Sequence, residues 1–417
     1  MSRVVTWCGG LALLGVLFGC GPPAPARTAA VSWGRVIEVP GLGALSTSGN
    51  PEVSSVSCGS AGNCAAGGYY RDNGPQGFAV VERNGRWGAA IPVPGLAALN
   101  GYRDAGVLSV SCAPAGGCAA GGFYMEDPHG VMGFAASQEN GAWGNAAYFP
   151  TGDYYGEVDS ISCVSDGRCL AGGETDDCYF DDPCSQRGFL AEERNGRWGK
   201  AARVPGLTVL GKDADVSSVW CGSAGNCAAG GYYWDLSDHQ QGFTVAEQDG
   251  RCGTAIGVPG LTALNKGRHA QVNSVSCASA GNCVAGGYYK GSHGGLRAFA
   301  AVERNGRWGL AIPVPGLAAL NKGGEQTQVL TVSCAPAGSC AAGGFYYDRS
   351  RHRQGFVTTE DNGAWDTPIP LPGLTALNKG GSAQVSSLSC PSPGTCAAAG
   401  YYADRSGRYH GFVTQAR

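Results

Sequence analysis

The chain alternates small polar and apolar residues in short runs that predict β-strands. Val53–Cys58 reads V-S-S-V-S-C, and Cys64–Tyr70 forms a second run after a Gly/Ser/Asn turn. Gly77–Glu82 is a third run, and Asn84-Gly85 signals a tight turn into a fourth, Trp87–Val93. Nowhere does an apolar period of about 3.6 residues persist long enough to predict a helix. The unit is therefore predicted to hold four antiparallel strands.

This unit repeats along the chain. Its first marker is a pair of cysteines with five residues between them, and successive first cysteines lie from 51 residues (Cys112 to Cys163) to 58 residues (Cys163 to Cys221) apart. A tryptophan follows the N-G turn in most units, V-P-G-L closes most of them, and Cys252 stands at one tryptophan position. A fixed period of about 40–50 residues is typical of propellers. The tryptophans are predicted to pack between blades: Trp87, Trp143, Trp198, Trp308 and Trp365.

The two ends of the repeat array complement each other. Trp33–Leu42 is a fourth strand without its first three, and the last unit stops in its third strand, Gly411–Arg417. Pairing the two would close a ring and hide its sheet edges. We predict an all-β fold: a seven-bladed β-propeller over residues 31–417, with four antiparallel strands per blade, closed by pairing of the N-terminal strand with the last blade. An open solenoid is the alternative, but it would need polar capping repeats.

The paired cysteines are predicted to form disulfides across neighbouring strands, where Cα atoms lie about 4.5–5.5 Å apart. A zinc site would need clustered ligands, and these pairs fall one to a blade. Disulfides indicate an oxidising, extracytoplasmic location. An eighth pair at the same spacing lies within the third unit, and Cys252 is interpreted as a partly buried thiol or an intermolecular disulfide. The predicted bridges join Cys58 to Cys64, Cys112 to Cys118, Cys163 to Cys169, Cys178 to Cys184, Cys221 to Cys227, Cys277 to Cys283, Cys334 to Cys340 and Cys390 to Cys396.

The N-terminus has the pattern of a targeting segment. Arg3 precedes an apolar run, Leu11–Phe18, that is short for a spanning helix. Leu17-Phe18-Gly19-Cys20 resembles the lipobox of bacterial lipoproteins, which implies a signal peptide over residues 1–19 and diacylation of Cys20. Residues 20–30 are predicted to be a Pro/Ala tether, and two acyl chains would anchor the protein in the membrane. Ordinary secretion is the alternative.

The repeat resembles a group of secreted propellers from high-GC Gram-positive bacteria with S-C-x5-C-x-A-x-G units. The pattern is present as Ser57–Gly68 and Ser276–Gly287, and likewise in the other blades except that Trp220 replaces one serine. More distantly, the turn before Trp87 resembles the Asp-box of sialidase-type propellers. It departs from the box because Gly85 lies two residues before the tryptophan. That resemblance touches a structural turn only, so it implies blade geometry and no catalytic residues.

The connections that vary between units are predicted to share one face of the ring. They are the second-to-third-strand loops and the blade-to-blade loops, and variable loops on a rigid scaffold are where binding sites are usually built. Aromatic pairs lead into the former loops. We predict that the second residue of each pair contacts a ligand. These residues are Tyr70, Tyr124, Tyr233, Tyr289, Tyr347 and Tyr402.

The third unit departs most from the others because acidic residues replace its aromatic pair. Carboxylates held in one loop by a bridge from Cys178 to Cys184 suit Ca²⁺, although no EF-hand spacing is present. A solvated acidic loop is the alternative. The candidate calcium ligands are Glu174, Asp176, Asp177, Asp181 and Asp182.

The net charge and the absence of known catalytic motifs reduce the number of possible functions. The net charge is −3 and no basic run occurs, so a nucleic-acid partner is not expected. No G-x-S-x-G, HExxH or phosphate-binding loop is found, and no cofactor other than Ca²⁺ is expected. The leading hypothesis is a membrane-anchored binding module for a glycan, a cell-wall polymer or a surface protein. The alternatives are a glycosidase or lyase of the propeller type and a structural envelope protein without a small ligand.

Overall fold

The computed structural model describes residues 32–127, 130–139, 141–152, 155–165, 167–176, 185–324, 326–336 and 338–416. Residues Val31–Arg417 form one compact unit. It consists of seven antiparallel sheets, one per repeat, arranged as a seven-bladed propeller, which confirms the predicted fold. The signal peptide (1–19), the tether (20–30) and Cys20 lie outside the described residues and stay predictions.

Each blade is built from three long strands in chain order, and we number the blades one to seven by their first strands. The first strands are Glu52–Ser60, Ala105–Cys112, Tyr155–Ser165, Gly211–Ser223, Ala270–Ser279, Gln328–Cys334 and Ala383–Ser392. The second strands are Asn63–Arg71, Cys118–Asp127, Arg168–Asp176, Asn226–Asp235, Asn282–Lys290, Cys340–Tyr347 and Thr395–Ala403. The third strands are Pro75–Arg83, Gly130–Glu139, Gln186–Arg194, Gln240–Gln248, Leu296–Arg304, Arg353–Asp361 and Tyr409–Ala416.

The fourth strand of blades one to six is divided into two short pieces that both pair with the third strand. The sequence predicted one continuous run here. The pieces before the break are Arg86–Trp87, Ala142–Trp143, Arg197–Trp198, Arg251–Cys252, Arg307–Trp308 and Ala364–Trp365. Those after it are Ile91–Pro92, Ala147–Tyr148, Ala202–Arg203, Ile256–Gly257, Ile312–Pro313 and Ile369–Pro370.

Single-turn helices follow the V-P-G-L motifs, where the sequence predicted no helix. In each case a glycine with positive φ, such as Gly95 at φ 73°, turns the chain into the helix. One turn is too short to show an apolar period, which is why the pattern missed it. The helices are Leu42–Leu45, Leu96–Leu99, Leu207–Leu210, Leu261–Leu264, Leu317–Leu320 and Leu374–Leu377, and none of these described helices has the length of a membrane span.

The ring closes where the chain ends meet, as predicted. Ile37–Glu38 is the outer strand of blade seven and pairs with the third strand of that blade. Ile37 lies opposite Val413 and Glu38 opposite Phe412. The Tyr402 hydroxyl adds a 2.7 Å hydrogen bond to Oε1 of Glu38. Residues from both ends therefore complete one blade.

Serine and threonine hydroxyls join the blades around the central channel, and we call this set the hydroxyl ring. The first strands are innermost, so each would leave backbone N–H groups unpaired at its inner edge. Oγ of Ser55 accepts the N–H of Val110 in the next blade at 2.9 Å, and Oγ of Ser57 accepts that of Cys112 at 2.9 Å. The relation recurs around the ring through Ser109, Ser111, Ser160, Ser162, Ser218, Ser274, Ser276, Thr331, Ser333, Ser387 and Ser389. Trp220 stands at one such position in blade four.

Glycine and tryptophan shape the contacts between blades. A Cβ on Gly67 would lie 2.7 Å from Cγ1 of Val107 in the next blade, so the second strand has no room for side chains there. Trp87 packs into the cluster between blades seven and one, which contains Ala397 and Val413. Tryptophans at the equivalent positions pack in other interblade clusters, as predicted.

Disulfides join the first and second strands of all seven blades, which confirms the predicted pairing. The described bridges join Cys58 to Cys64, Cys112 to Cys118, Cys163 to Cys169, Cys221 to Cys227, Cys277 to Cys283, Cys334 to Cys340, and Cys390 to Cys396. Such a set of bridges is that of an extracytoplasmic protein.

The bridged cysteines lie closer together than the sequence suggested. Cys163 and Cys169 lie directly opposite each other, and their Cα atoms are 4.0 Å apart, below the expected range of about 4.5–5.5 Å. In blade seven the strand pairing is irregular between Ser389 and Ser392. Cys390 and Cys396 are nevertheless bridged there, with Cα atoms 4.1 Å apart. The bridge therefore tolerates a local irregularity of the hairpin.

The predictions for the remaining cysteines have different outcomes. Cys178 and Cys184 lie outside the described residues, so the eighth bridge is not confirmed and stays a prediction. Cys252 is a free, exposed thiol, not the partly buried one that the sequence suggested. It stands on a short outer strand, Arg251–Cys252, where a small side chain leaves it open to solvent.

Candidate binding site at the channel mouth

The loops sort onto two faces as the repeat comparison predicted. On the constant face, Gly62 in the first-to-second-strand loop accepts the N–H of Gly85 in the third-to-fourth-strand loop at 2.9 Å. On the variable face, Gly267 in a blade-to-blade loop donates to the carbonyl of Lys290, at the end of a second strand, at 2.7 Å. The second-to-third-strand loops and the blade-to-blade loops of the variable face surround one end of the channel. We call this end the channel mouth.

The predicted ligand-contacting tyrosines lie inside the blade packing. Tyr70, Tyr124, Tyr233, Tyr289 and Tyr402 expose between 4% and 8% of their surface and belong to interblade clusters. In blade six the residue at this position is Tyr346, which is 5% exposed, because the pairing places Tyr346 opposite Gln354 as it places Tyr70 opposite Gln76. Tyr347 lies one residue further on and is half-buried.

The residue before each of these tyrosines lies on the other side of its strand, where Tyr288, Phe345 and Tyr401 are also buried, at 8%, 3% and 5% exposure. In each blade it pairs with the first-strand residue that lies six positions before the first disulfide cysteine. These pairs form a ring that sequence reasoning missed, although the polar residue at that fixed offset was a visible signal. The pairs are Glu52/Tyr69, Gly106/Phe123, Glu157/Glu174, Asp215/Tyr232, Gln271/Tyr288, Gln328/Phe345 and Gln384/Tyr401.

One side of the mouth combines an arginine with aromatic rings. The guanidinium of Arg353 lies 3.8 Å from the ring centroid of Phe345, and its Nη1 donates to the Tyr401 hydroxyl at 2.8 Å. Tyr401 in turn stacks on Tyr409, with ring centroids 4.7 Å apart. The cation therefore sits on one aromatic face and binds the edge of another, which is a favourable arrangement.

Glu52 and Tyr69 complete this side of the mouth. The Tyr69 hydroxyl is hydrogen-bonded to Glu52. Burial, and then the Glu52 carboxylate, raise the pKa of Tyr69 well above that of a free tyrosine. Tyr69 therefore stays a neutral phenol at physiological pH.

The opposite side of the mouth is acidic. Burial, followed by repulsion from Asp215, raises the pKa of Glu157 to about 7 and that of Glu174 to about 8. Asp159 and Asp215 are hydrogen-bonded to each other, and the pKa of each lies above its usual range chiefly because both are buried. A hydrogen bond between two carboxyl groups requires a proton on one of them, so this cluster holds protons at neutral pH.

Neighbouring side chains hold the acidic cluster in place. Gln186 donates to Oε2 of Glu174, and the Tyr232 hydroxyl donates to Oε1 of Gln186 at 2.9 Å. The Ser217 hydroxyl donates to Oδ2 of Asp215 at 2.7 Å. Amide and hydroxyl donors therefore hold Glu174 and Asp215 in place.

The predicted calcium ligands are only partly described. Glu174 belongs to the acidic cluster and Asp176 ends the same strand, whereas Asp177, Asp181 and Asp182 lie outside the described residues. Within the described ranges, no group of three or more His, Cys, Asp or Glu side chains has the geometry to hold a metal ion. Calcium binding by this loop therefore stays a prediction.

Comparison with known proteins shows the fold alone. No protein-family model and no curated protein matches the chain. A solved protein of unknown function from Dyadobacter fermentans is 10% identical with a TM-score of 0.51, over 94% of this chain and 100% of the other. A polysaccharide lyase, an ulvan lyase, is 8% identical with a TM-score of 0.49, over 91% and 95% of the two chains. A Hadza microbial sialidase is 9% identical with a TM-score of 0.47, over 91% and 68%.

Proposed function

We propose that this propeller is an extracytoplasmic binding module whose site is the channel mouth, and that its ligand is a glycan or cell-wall polymer. The observation that carries the proposal is the ring of paired residues, which places phenols, amides and carboxylates at the same register position of the blades, with the guanidinium of Arg353 bound to one of the phenols. Such groups can bind the hydroxyls of a sugar, and aromatic rings can pack on its apolar faces. Lipidation of Cys20 would hold the module at the membrane surface.

The charge of the mouth indicates how a polymer would lie in it. Arg353 with its aromatic partners faces one side, and Glu157, Glu174 and Asp215 face the other. A ligand bound across the mouth would therefore place hydroxyl or anionic groups near Arg353 and hydroxyl or amino groups near the carboxyls. The buried tyrosines such as Tyr402 would act as the packing that positions the ring.

The test is a binding screen of the propeller, residues 31–417 with disulfides formed, against a glycan array and purified bacterial cell walls. It is run with and without Ca²⁺. For the best ligand, Arg353→Gln should weaken binding by at least about tenfold, the effect of one charge-assisted contact. Arg349→Gln is the matched control, because Arg349 is exposed in the neighbouring loop. Equal binding by both variants, or no ligand at all, would count against the channel mouth and favour a structural envelope role.

A second candidate function is cleavage of a polysaccharide by a glycosidase or lyase mechanism. The acidic cluster favours it, since carboxyl groups with pKa values near neutrality suit proton transfer. The array's best ligand, or commercial polysaccharides if none binds, should then yield new reducing ends or unsaturated products. Glu174→Gln should abolish the release while leaving the fold intact; release unchanged by Glu174→Gln would exclude this cluster.

A further inference from the structure

A groove opens between blades three and four on the side of the fourth strands, away from the channel mouth. Its volume is about 620 Å³, which lies within the range of ligand pockets, roughly 300–1,000 Å³. Leu170 and Leu190 of blade three and Ala229 and Val245 of blade four form its apolar walls. Cys252 also lines it.

The groove lies where blade four lacks a tryptophan. Cys252 pairs with Glu247 in the same register in which Trp308 pairs with Glu303 one blade later. The equivalent indole of blade three packs against the preceding blade, with the Trp198 and Phe149 rings 5.0 Å apart. A cysteine is too small to take that place. The cluster between blades three and four accordingly contains no tryptophan among the described residues, and Trp198 of blade three lines the groove from one side.

The rim of the groove is mainly basic. Arg194, Arg197, Lys200 and Arg203 line it, together with Glu192 and Glu247. Arg194 pairs with Glu192, with 2.5 Å between Nη2 and Oε2. In the described part of the chain the other three cations make no ion pair, so the rim carries surplus positive charge around an apolar floor.

We propose that this groove binds an aromatic anion: one or two fused or linked rings carrying a carboxylate or sulfonate. The ring would occupy the space that an indole fills in the other blades, against Leu190 and Val245. The acidic group would lie at the rim near Arg197 and Lys200. The site is separate from the channel mouth, and its occupancy does not depend on a glycan ligand.

The test uses the dye 8-anilinonaphthalene-1-sulfonate, an aromatic anion whose fluorescence rises in apolar sites. Titration of the propeller, residues 31–417, with the dye should give saturable binding at one site. Cys252→Trp, which restores the residue of the other blades, should weaken binding at least about tenfold, because the indole fills the groove. Cys252→Ser is the matched control: it removes the thiol and leaves the space, and should bind the dye as the unaltered chain does.

Two further measurements keep the result interpretable. The dye also binds partly unfolded chains, so near-UV circular dichroism must show native packing in every variant. The double variant Arg197→Gln/Lys200→Gln alters exposed positions only. It should weaken binding of the anionic dye and leave binding of the uncharged analogue N-phenyl-1-naphthylamine unaltered. Absence of binding to the unaltered chain, or equal binding to Cys252→Trp, would overturn the site. Equal loss of both dyes in the charge variant would overturn its preference for anions.

Discussion

Oγ of Ser387 in the last blade accepts a 3.0 Å hydrogen bond from the backbone N–H of Val56 in the first blade. This contact joins residues from the two ends of the propeller at its inner edge, just as Ile37 and Val413 join them further out. The ring is therefore closed twice, once at the channel and once through a shared blade. The inner closure uses the same hydroxyl position as the other joints between blades.

We expect Ser387→Ala to lower the free energy of unfolding by about 1–2 kcal/mol, because it leaves the N–H of Val56 buried without a partner. Denaturation by guanidinium chloride under non-reducing conditions would measure it. Ser54→Ala is the matched control, since Ser54 also lies on an inner strand but outside the positions that form the hydroxyl ring. If the two variants unfold alike, the hydroxyl ring does not stabilise the fold.

We expect stability to fall as pH rises from about 5 to about 9. The folded chain keeps protons on Glu157 and Glu174 up to pH values near 7 and 8, whereas the unfolded chain releases them near the ordinary value of 4.5. Where the folded state binds more protons, raising the pH favours unfolding. Thermal melts across this pH range would measure the slope.

Glu174→Gln should flatten that pH dependence and raise the melting temperature at pH 9, because it removes one buried charge. The change should correspond to at least about 1.4 kcal/mol, the free energy of one pKa unit. Glu126→Gln, at an exposed position on the same face, should leave the slope unaltered. A slope that survives Glu174→Gln unaltered would place the titrating groups elsewhere.

Removal of one bridge should cost little. Replacing Cys58 and Cys64 together by alanine opens a loop whose ends are six positions apart, which in the chain-entropy model is worth about 2 kcal/mol. Because every described blade carries a similar bridge, full reduction should cost far more than any single replacement. Melting temperatures of the variant and of the reduced chain would test this. A single replacement as damaging as full reduction would contradict it.

Deletion of residues 1–40 should open the outer closure. It removes Ile37 and Glu38 and exposes the edge of Tyr409–Ala416, and an unpaired edge strand promotes association. We expect a lower melting temperature and oligomers in size-exclusion chromatography. Deletion of residues 1–30 is the control and should give a stable monomer. Monomeric behaviour of both chains would show that the inner hydroxyl ring alone closes the propeller.

The repeat made much of the fold predictable because its signals are local. The cysteine pair, the Asn84-Gly85 turn and the alternation in Val53–Cys58 each lie within one hairpin, and each predicted its hairpin correctly. The hydroxyl ring was not predictable in the same way. Ser55 reads as an ordinary polar position in a strand, and its partner Val110 lies 55 residues away.

The site was less predictable because two neighbouring residues in a strand point to opposite faces. Only one residue of each aromatic pair can belong to the ring of paired residues. Both faces of a blade are covered by neighbouring blades, so hydrophobicity does not distinguish Tyr69 from Tyr70. Only the pairing of Tyr69 with Glu52 makes the distinction, since Tyr288, Phe345 and Tyr401 are as buried as Tyr70.

The hydroxyl ring also has a direction. In each joint the hydroxyl belongs to one blade and the backbone N–H that it accepts belongs to the next blade around the ring, and the joint from Ser387 to Val56 follows the same rule. No blade is therefore first or last as far as these contacts are concerned. A circular permutant that joins the present ends and starts at a constant-face turn such as Asn305-Gly306 would keep every joint. The order of blades around the ring, rather than the position of the chain ends, defines this molecule.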